Sequence, residues 1–360
     1  MNICIVVGTR PEIIKMSPII RYCELKKLNY IIIHTGQHYS INMDKIFFEE
    51  LELPQPKYNL DVGSGTHGKQ TGLILEKIEQ ILLKETPDIV LVEGDTNTVL
   101  AGALAAAKLH IKVGHVEAGL RSYDRQMPEE LNRILTDHLS DFLFAPTENA
   151  KNIALKEGID EKKIFVTGNT IVDAVYQNLK LAKTKSNILN GKGIKKNEYI
   201  LITAHRQENV DIKSKLKNML EGFGDIGREI GIKMIYPIHP RTRKMIAKFK
   251  LNVPECIKLI EPVGFMDFLM LEANAKAVMT DSGGVQEESC ILKVPCVTLR
   301  ENTERPETIE VGSNMLAGAD PKKMLKCLKL MLKKKRSWKN PFGDGKAAEK
   351  IMELIENENK

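Results

Sequence analysis

Two acidic residues stand directly after apolar segments of the chain, where they could transfer protons. Residues 88–93 read DIVLVE and are followed by Gly94 and Asp95, while residues 112–116 read KVGHV and are followed by Glu117. Runs of this kind are typical of buried parallel strands, whose carboxyl ends meet at the ligand-binding edge of a sheet. Asp95 can also cap the following helix, which does not exclude chemistry. We therefore predict that Asp95 and Glu117 are catalytic carboxylates at one sheet edge.

A second pair of acids begins a predicted helix. Pro128 favours the first turn of a helix, so Glu129 and Glu130 would lie at its N-terminus, where the helix dipole favours negative charge. Capping alone is a sufficient explanation for Glu130. It does not explain Glu117, because nothing local requires an acid at the end of a buried strand. We interpret Glu130 as a cap and Glu117 as a site residue.

The segment DSGGVQEE at residues 281–288 directly follows a predicted strand and opens a helix. Gly283 and Gly284 let backbone N–H groups approach a ligand at the positive end of that helix, which predicts a phosphate or pyrophosphate site. Glu288 lies about one turn further on, where its carboxylate could accept hydrogen bonds from ribose hydroxyls. A tight turn with Ser282 as the helix N-cap explains the same pattern. Both interpretations stay open from this stretch alone.

Cationic side chains recur next to the predicted sheet edges. They are Arg10 and Lys15 after the first strand, His205 and Arg206 after the strand at residues 199–203, and Arg300 and Arg305 in a predicted loop. Together with the glycine-rich helix start, they form four cationic or amide-rich elements from both halves of the chain. We expect these elements to converge on one cleft that binds an anionic ligand.

Two motifs have the spacing of a cofactor site or a metal site, but the residues around them do not fit either kind of site. Residues 63–68, GSGTHG, fit the spacing of a dinucleotide-binding loop and nearly fit a P-loop. Residues 54–61 before them are not a buried apolar strand, and Gln70 stands where a P-loop needs serine or threonine, so we predict a flexible loop. His34 and His38 have the spacing of two zinc ligands, but the glutamate and the helix of that motif are missing. We predict neither a metal nor a nicotinamide cofactor.

The elements that position these residues alternate between apolar strands and helices, which predicts an α/β protein. The alternation stops at residues 181–198, a polar and lysine-rich stretch that we interpret as a linker, and then restarts. At 360 residues the chain exceeds the size at which one core stays convenient. We therefore predict an N-terminal domain at residues 1–180 and a second domain at residues 199–343.

The overall composition limits the possible partners. The chain is 42% hydrophobic and 28% charged, as in ordinary globular proteins, and its net charge of +6 suits anionic ligands. Aromatic residues make up only 5%, few for base stacking, and the basic run at residues 333–336 ends a predicted helix, so we predict no nucleic-acid binding. No apolar run approaches the roughly 20 residues of a membrane span, and no signal peptide precedes the first strand. The six cysteines suit a reducing compartment, so we expect a cytoplasmic protein without membrane contact.

Eight short motifs occur in order over nearly the whole chain. They are GTRPE (8–12), EGD (93–95), GHVEAGLR (114–121), PEELNR (128–133), GNT (168–170), TDSGGVQEE (280–288), TERPE (303–307) and NPFGDG (340–345). Together they resemble the non-hydrolysing UDP-N-acetylglucosamine 2-epimerases. The resemblance implies a glycosyltransferase-B-type fold of two Rossmann-like domains, with the nucleotide sugar in the interdomain cleft and a C-terminal helix at about residues 344–360 packed on the first domain. It also implies a homodimer and no nicotinamide cofactor.

The resemblance implies roles for individual residues. Asp95, Glu117 and Glu129 match the catalytic carboxylates of the family, and His205 matches its substrate-contacting histidine. The other positions that match its substrate-binding residues are Arg10, Lys15, Val263, Phe268, Ser282, Gly283, Gly284, Glu288 and Arg305, with Phe268 near the uracil.

The chain departs from the pattern of the family in three neighbourhoods. Tyr39 and Gln207 stand where members often have arginine, and Pro240 and Arg241 follow His239 where members have Asn-Pro. In bacterial members these neighbourhoods form a second, activating substrate site. The resemblance therefore does not carry that site over to this chain.

The implied activity is the reversible epimerisation of UDP-N-acetylglucosamine to UDP-N-acetylmannosamine, for surface polysaccharide or glycan synthesis. The proton on the sugar carbon that bears the acetamido group has no adjacent carbonyl and is not acidic enough for direct removal. The enzyme must either oxidise a neighbouring carbon with a nicotinamide or expel the anomeric UDP. The only motif with dinucleotide-binding spacing does not follow a buried strand, so the sequence favours expulsion. A glycosyltransferase and a hydrolysing epimerase are alternatives with the same fold. A P-loop ATPase and a non-catalytic nucleotide-sugar sensor are alternatives from other classes.

Overall fold

The computed structural model describes residues 1–36 and 41–358, with the backbone alone for residues 41–44. The chain divides into two units: unit 1 comprises Met1–Gln177 and Phe342–Lys360, and unit 2 comprises Asn178–Pro341. Each unit is built on a sheet of parallel strands with helices between them. The prediction of an α/β protein with two Rossmann-like domains is confirmed.

Unit 1 contains a seven-stranded sheet. Its strands are β1 (Asn2–Val7), β2 (Asn29–His34), β3 (Tyr58–Asn59), β4 (Ile89–Glu93), β5 (Lys112–Val116), β6 (Phe142–Ala145) and β7 (Ile164–Val166). Its helices are α1 (Arg10–Lys26), α2 (Ile41–Glu50), α3 (His67–Glu85), α4 (Asn97–Lys108), α5 (Pro128–Leu139), α6 (Glu148–Lys156), α7 (Thr170–Lys185, which continues into unit 2) and α16 (Ala347–Asn357). The strand order is β3-β2-β1-β4-β5-β6-β7. All residues of β4 are buried, which explains the unbroken apolar run of this segment.

The strand order of unit 1 reverses between β1 and β4, and ligands of such sheets bind outside the carboxyl ends of the strands at a reversal of this kind. The neighbouring strands β4 and β5 are parallel, with Glu93 opposite Val116. Asp95 and Glu117 therefore follow the carboxyl ends of adjacent strands, as predicted. The N-cap of α4 is Thr96, whose side chain accepts a hydrogen bond from Thr98 N, so Asp95 is not needed as the cap.

Unit 2 repeats the architecture with a six-stranded sheet. Its strands are β8 (Tyr199–Thr203), β9 (Lys233–Pro237), β10 (Ile257–Ile260), β11 (Ala277–Thr280), β12 (Cys296–Thr298) and β13 (Asn314–Leu316). Its helices are α8 (Ile188–Gly191), α9 (Gln207–Val210), α10 (Lys213–Ile230), α11 (Pro240–Phe249), α12 (Phe265–Ala273), α13 (Gly283–Ile291), α14 (Pro306–Glu310) and α15 (Pro321–Lys333). The order β10-β9-β8-β11-β12-β13 reverses between β8 and β11. His205 follows β8 and Asp281 follows β11, so both lie at the reversal.

The predicted linker at residues 181–198 is wrong. The boundary between the units falls inside α7, between Gln177 and Asn178, and the following residues form the end of α7 and the short helix α8. Ile188, Leu189 and Ile194 are buried, and α8 packs against α12. A few apolar side chains among many lysines are enough to anchor this segment, because burial depends on which face each residue occupies and not on average polarity.

The C-terminal helix α16 belongs to unit 1, where it packs against α1. The carboxylate of Asp173 accepts hydrogen bonds from Ala347 N (3.2 Å) and Ala348 N (3.1 Å), which satisfies amides at the start of the helix. In the part of the chain that the structure describes, no helix is both long enough and apolar enough to cross a membrane.

Candidate active site

Glu117 lies at the centre of a group of charged side chains in unit 1. It is buried, and its backbone adopts the left-handed conformation with φ of +67°. The ammonium of Lys15, from α1, forms an ion pair with Glu117 and lies 3.1 Å from Glu93 Oε1. Asn169 Nδ2 donates a hydrogen bond to Glu117 Oε2 at 3.0 Å. The predicted catalytic carboxylate is thus held by one cation and one amide from distant parts of the sequence.

Two further buried acids share this neighbourhood. Burial raises the pKa of Glu93 well above its usual value, and the charges of Glu117 and Glu12 add to the rise while Lys15 opposes it. Burial also raises the pKa of Glu12 to about 7, although it accepts hydrogen bonds from Gly8 N at 2.6 Å and from a threonine hydroxyl at 3.0 Å. The cluster can therefore hold protons on carboxyl groups near neutral pH, which is a property that proton transfer needs.

Asp95 is held by α5. Arg133 forms ion pairs with the carboxylates of Asp95 and Glu130, the latter at 3.0 Å. Asn132 Nδ2 donates a hydrogen bond to the backbone carbonyl oxygen of Asp95 at 2.9 Å. The side chain of Asp95 is 31% exposed, so it remains accessible while its backbone is fixed.

The two glutamates that begin α5 have different surroundings. Glu130 is buried and accepts hydrogen bonds from Ser122 N at 2.8 Å and Tyr123 N at 2.9 Å. Burial raises its pKa, but these hydrogen bonds and Arg133 hold the pKa of Glu130 below its usual value. Glu130 therefore stabilises the loop before α5 and does not cap that helix, whose N-cap is Met127, so its interpretation as a cap is wrong although its role is structural. Glu129 is partly exposed in the same first turn, and its catalytic role stays a prediction.

In unit 2, Asp281 organises the segment that carries His205. Its carboxylate is fully buried and accepts hydrogen bonds from His205 N (2.9 and 3.1 Å) and Arg206 N (3.0 Å). The side chain of His205 is 43% exposed, and its ring stacks on that of His239 with 5.4 Å between the centroids. Burial lowers the pKa of His239, and the neighbouring His205 and Arg241 lower it further. The histidine predicted to contact substrate is accessible and has a fixed backbone.

The start of α13 leaves room for a ligand. A Cβ atom built on Gly283 would have one neighbour within 4 Å, Glu304 Oε2 at 3.8 Å, and one built on Gly284 would have Ser282 Oγ at 4.0 Å. Ser282 is the N-cap residue, but its side chain forms no capping hydrogen bond with the described residues. The amides of the first turn are therefore not covered by Ser282, which favours the anion-site interpretation over the simple cap.

The predicted ribose-binding residue Glu288 has a buried carboxyl neighbour. Glu272, on α12, is fully buried and accepts a hydrogen bond from Ser289 Oγ at 2.8 Å. Burial raises the pKa of Glu272 well above its usual value, and the charge of Glu288 raises it further. Glu288 itself is 9% exposed. Its carboxylate therefore lies at the edge of the core, beside Glu272 with its raised pKa.

The arginines of the loop after β12 are engaged within unit 2. Arg300 donates two hydrogen bonds of 2.8 Å to the carboxylate of Glu304. Burial opposes ionisation of Glu304, but Arg300 lowers the pKa of Glu304 to about 2. Arg305 Nε lies 2.7 Å from Glu287 Oε1. Arg300 therefore has a structural ion pair, whereas the predicted role of Arg305 in substrate binding stays a prediction.

Three further predicted binding residues are partly or fully exposed at the ends of helices. Arg10 begins α1 and is exposed, with its guanidinium carbon 5.3 Å from the centroid of the Phe47 ring. Val263 lies in the loop before α12, and Phe268 lies in the first turn of that helix; both are partly exposed. Their predicted contacts with substrate stay predictions.

The glycine-rich segment at residues 63–68, whose last two residues begin α3, is neither a dinucleotide-binding loop nor a P-loop. The strand before it, β3, has two residues, where both motifs need a buried apolar strand. Gln70 is buried, donates to Gly63 O at 2.8 Å and accepts from Asn97 Nδ2 at 2.8 Å, so it closes the loop.

His34 is buried beside the Phe48 ring, while His38 and Tyr39 lie outside the described residues. Among residues 1–36 and 41–358, no group of three or more histidine, cysteine, aspartate or glutamate side chains could hold a metal ion.

Sequence reasoning did not single out Glu12, Glu93, His115 or Asp137. Glu93 ends the apolar strand β4 and is buried there. A buried acid of this kind is itself a signal of a functional group. His115 and Asp137 form a buried pair at 2.6 Å whose members are 22 positions apart, so no local spacing reveals them.

The chain is similar over its whole length to proteins of one family. The sequence model of the family described as UDP-N-acetylglucosamine 2-epimerase matches residues 22–356. A relative with that name from Methanocaldococcus jannaschii is 60% identical over 99% of both chains, and one from Methanococcus maripaludis is 58% identical over 100% of this chain and 99% of its own. The crystal structure of the Methanocaldococcus jannaschii UDP-GlcNAc 2-epimerase in complex with UDP-GlcNAc and UDP matches with a TM-score of 0.88, 60% identity and coverage of 99% of this chain and 100% of that one. This match confirms the predicted fold type, and the chain belongs to the UDP-N-acetylglucosamine 2-epimerase family.

Proposed function

We propose that this protein is an isomerase that interconverts UDP-N-acetylglucosamine and UDP-N-acetylmannosamine by eliminating and re-adding UDP. The observation that carries the proposal is the position of Asp95 and Glu117 after the ends of the adjacent strands β4 and β5, each held by a cation. The substrate is taken from the names of the relatives, which are 58–60% identical and aligned over nearly the full length.

The reaction needs proton transfer on two faces of one carbon and stabilisation of a leaving diphosphate. In the first step a carboxylate removes the C2 proton, the C1–O bond to UDP breaks with its electron pair on the UDP oxygen, and a C1=C2 double bond forms. In the second step a proton returns to the opposite face of C2 while the UDP oxygen bonds to C1 again. We assign the proton transfers to Asp95, Glu117 and Glu129, because carboxyl groups with tuned pKa values can act as both bases and acids.

We assign different parts of the substrate to the two units. The acids of unit 1 would act on the sugar, and unit 2 would bind the nucleotide through the uncovered amides of α13 and the side chains of His205, Glu288 and Arg305. Amides at a helix N-terminus and nearby cations stabilise the charge that develops on a leaving diphosphate. The remaining contacts that we propose for substrate are Arg10, Lys15, Val263, Phe268, Ser282, Gly283 and Gly284.

We also propose that the enzyme is a homodimer whose interface includes the outer face of α5. This helix buries polar residues, among them Asn132 and Asp137, and exposes Leu131 (39%) and Leu135 (50%), the reverse of an ordinary surface helix. A second copy of the chain would cover the apolar stripe. Light scattering with size exclusion should give a dimer, and Leu135→Glu should shift it toward monomer, whereas Leu25→Glu, at an even more exposed leucine of α1, should not. A monomeric wild-type protein would contradict this part of the proposal.

We also propose that the enzyme is cytoplasmic. All six cysteines are free, and five of them are buried. Free thiols persist in a reducing compartment, whereas exported proteins more often carry disulfides.

The decisive experiment is NMR of the protein with UDP-N-acetylglucosamine in D₂O, without an acceptor, a metal or a nicotinamide. We expect deuterium at C2 and the appearance of UDP-N-acetylmannosamine. Free N-acetylmannosamine with release of UDP would indicate a hydrolysing epimerase. Unchanged substrate that reacts only after an acceptor is added would indicate a glycosyltransferase, and no deuterium under any of these conditions would refute the proposal.

A further inference from the structure

His115 is the second-last residue of β5, and both nitrogens of its ring contact acceptor atoms. Nδ1 lies 2.6 Å from Asp137 Oδ1, and Nε2 lies 2.9 Å from the carbonyl oxygen of Gly94. Both edges of the ring are thus engaged by acceptor atoms of the protein, and His115 is 0% exposed.

Asp137, on α5, connects His115 to two further groups of unit 1. Its second oxygen accepts from Gly119 N at 3.1 Å and pairs with Arg121 at 2.7 Å. Burial raises the pKa of Asp137, but His115 and Arg121 more than compensate and hold that pKa below its usual value, so the group is ionised. Arg121 in turn pairs with Glu157 at 2.6 Å. Arg121 thus pairs with two carboxylates, and the buried carboxylate of Asp137 is partnered by Arg121, His115 and Gly119, as a buried charge requires.

The His115–Asp137 pair joins the two turns that carry Asp95 and Glu117. Gly94, whose carbonyl accepts from His115, directly precedes Asp95, and Gly119, whose amide donates to Asp137, lies two residues after Glu117. Both turns use left-handed backbone conformations, with φ of +86° at Gly94, +81° at Gly119 and +67° at Glu117. A non-glycine residue such as Glu117 is strained in this region and persists there only where its surroundings impose it.

We propose that the hydrogen-bonded His115–Asp137 pair is a positioning device that holds Asp95 and Glu117 in the geometry needed for proton transfer. The inference rests on the proposed function, because it concerns the acids of that reaction. Neither residue transfers a proton to substrate itself, since both ring nitrogens of His115 are engaged within the protein and the pair is buried. Catalytic groups have to be held closely, because a misplacement of about 1 Å costs about a hundredfold in rate.

The test is a double-mutant cycle in the D₂O assay. Glutamine has one donor nitrogen and cannot serve both acceptors, so His115→Gln should lower kcat about a hundredfold while KM and the Kd for UDP stay within about threefold. Asp137→Asn should have the same effect. The double variant should be no slower than the slower single variant, because the two side chains act as one unit. His110→Asn, an exposed position just before β5, is the matched control and should keep the wild-type kcat.

Three results of this double-mutant cycle would overturn the inference. A kcat within about threefold of wild type in either single variant overturns the inference, as does a double variant whose loss is the product of the single losses. A parallel loss of UDP affinity, measured by calorimetry, would reveal general damage to the fold and would also overturn it. If the wild-type protein incorporates no deuterium, the proposed function fails before any substitution is made, which separates that failure from failure of the positioning device.

Discussion

Replacing Glu12 with glutamine should remove a pH-dependent loss of stability from unit 1. Glu12 lies in the first turn of α1, is 2% exposed and accepts hydrogen bonds from Gly8 N and Thr9 Oγ1. Burial raises its pKa from 4.5 to about 7, although these hydrogen bonds favour the ionised form. Glutamine has nearly the same shape, can accept from Gly8 N through its oxygen and can donate to the Thr9 hydroxyl, but it cannot ionise.

The magnitude follows from the pKa difference between the folded and the unfolded chain. Because the pKa of Glu12 is higher in the folded state, the folded chain binds more protons, and its stability falls as the pH rises from 4.5 through about 7. Each unit of pKa difference is worth about 1.4 kcal/mol, so ionisation of Glu12 costs about 3 kcal/mol above that range and nothing below it. The Glu12→Gln variant should therefore gain about 3 kcal/mol relative to wild type between about pH 4.5 and pH 8.5.

Thermal or urea unfolding at several pH values would measure this gain. For a unit of this size about 1 kcal/mol corresponds to about 2–4 °C, so the difference in Tm between the variant and wild type should grow by about 6–12 °C across the pH range. Glu79→Gln, at an exposed position of α3, is the matched control and should change stability by less than about 0.5 kcal/mol. An offset between Glu12→Gln and wild type that is the same at low and high pH would show that Glu12 does not titrate in this range, and the reasoning would be wrong.

Three further substitutions test the site. Glu117→Gln should lower turnover in the D₂O assay by at least about a hundredfold, as expected for a proton-transfer group, and turnover within a few-fold of wild type would contradict the assignment. Gly119→Ala should destabilise unit 1 by about 2–4 kcal/mol in urea unfolding, because the new Cβ would lie 2.4 Å from Ala150 O at a residue with φ of +81°; unchanged stability would contradict the steric argument. Asp281→Asn should cost about 1.5–3 kcal/mol and weaken UDP binding measured by calorimetry, because it removes the charged acceptor that fixes the backbone of His205; full UDP affinity would contradict that role.

Much of the architecture is readable in the sequence because buried parallel strands need continuous apolar runs. Residues 89–93 are buried throughout in β4, and the acid that follows such a run is placed at the carboxyl edge of the sheet. The positions of Asp95 and Glu117 after adjacent strands follow from this rule. The same rule misjudged residues 181–198, where three buried apolar side chains among many polar ones were enough to anchor helices.

The side chains that contact the acids cannot be read from local sequence patterns. Lys15 matches a substrate-binding position of the family, and in the folded chain its ammonium lies beside Glu93 and Glu117, which are 78 and 102 positions away. The outward apolar face of α5 also looks, in the sequence, like an ordinary amphipathic helix with its leucines turned to the core. Its polar residues face inward because they bind Asp95, His115 and Gly119, and no periodicity reveals this.

The order of residue types along the chain was sufficient to predict the α/β class, the two parallel sheets and the family to which the protein belongs, and it predicts the sheet edges where chemistry should occur. These properties depend on local patterns, namely apolar periodicity, turn residues and short motifs. The raised pKa values of Glu12 and Glu93, the buried His115–Asp137 pair and the exposure of Leu135 depend on the folded structure instead. Each of them depends on burial and on charges that folding brings together from distant positions, and electrostatic energies in a low-dielectric interior are set by those distances and not by sequence spacing.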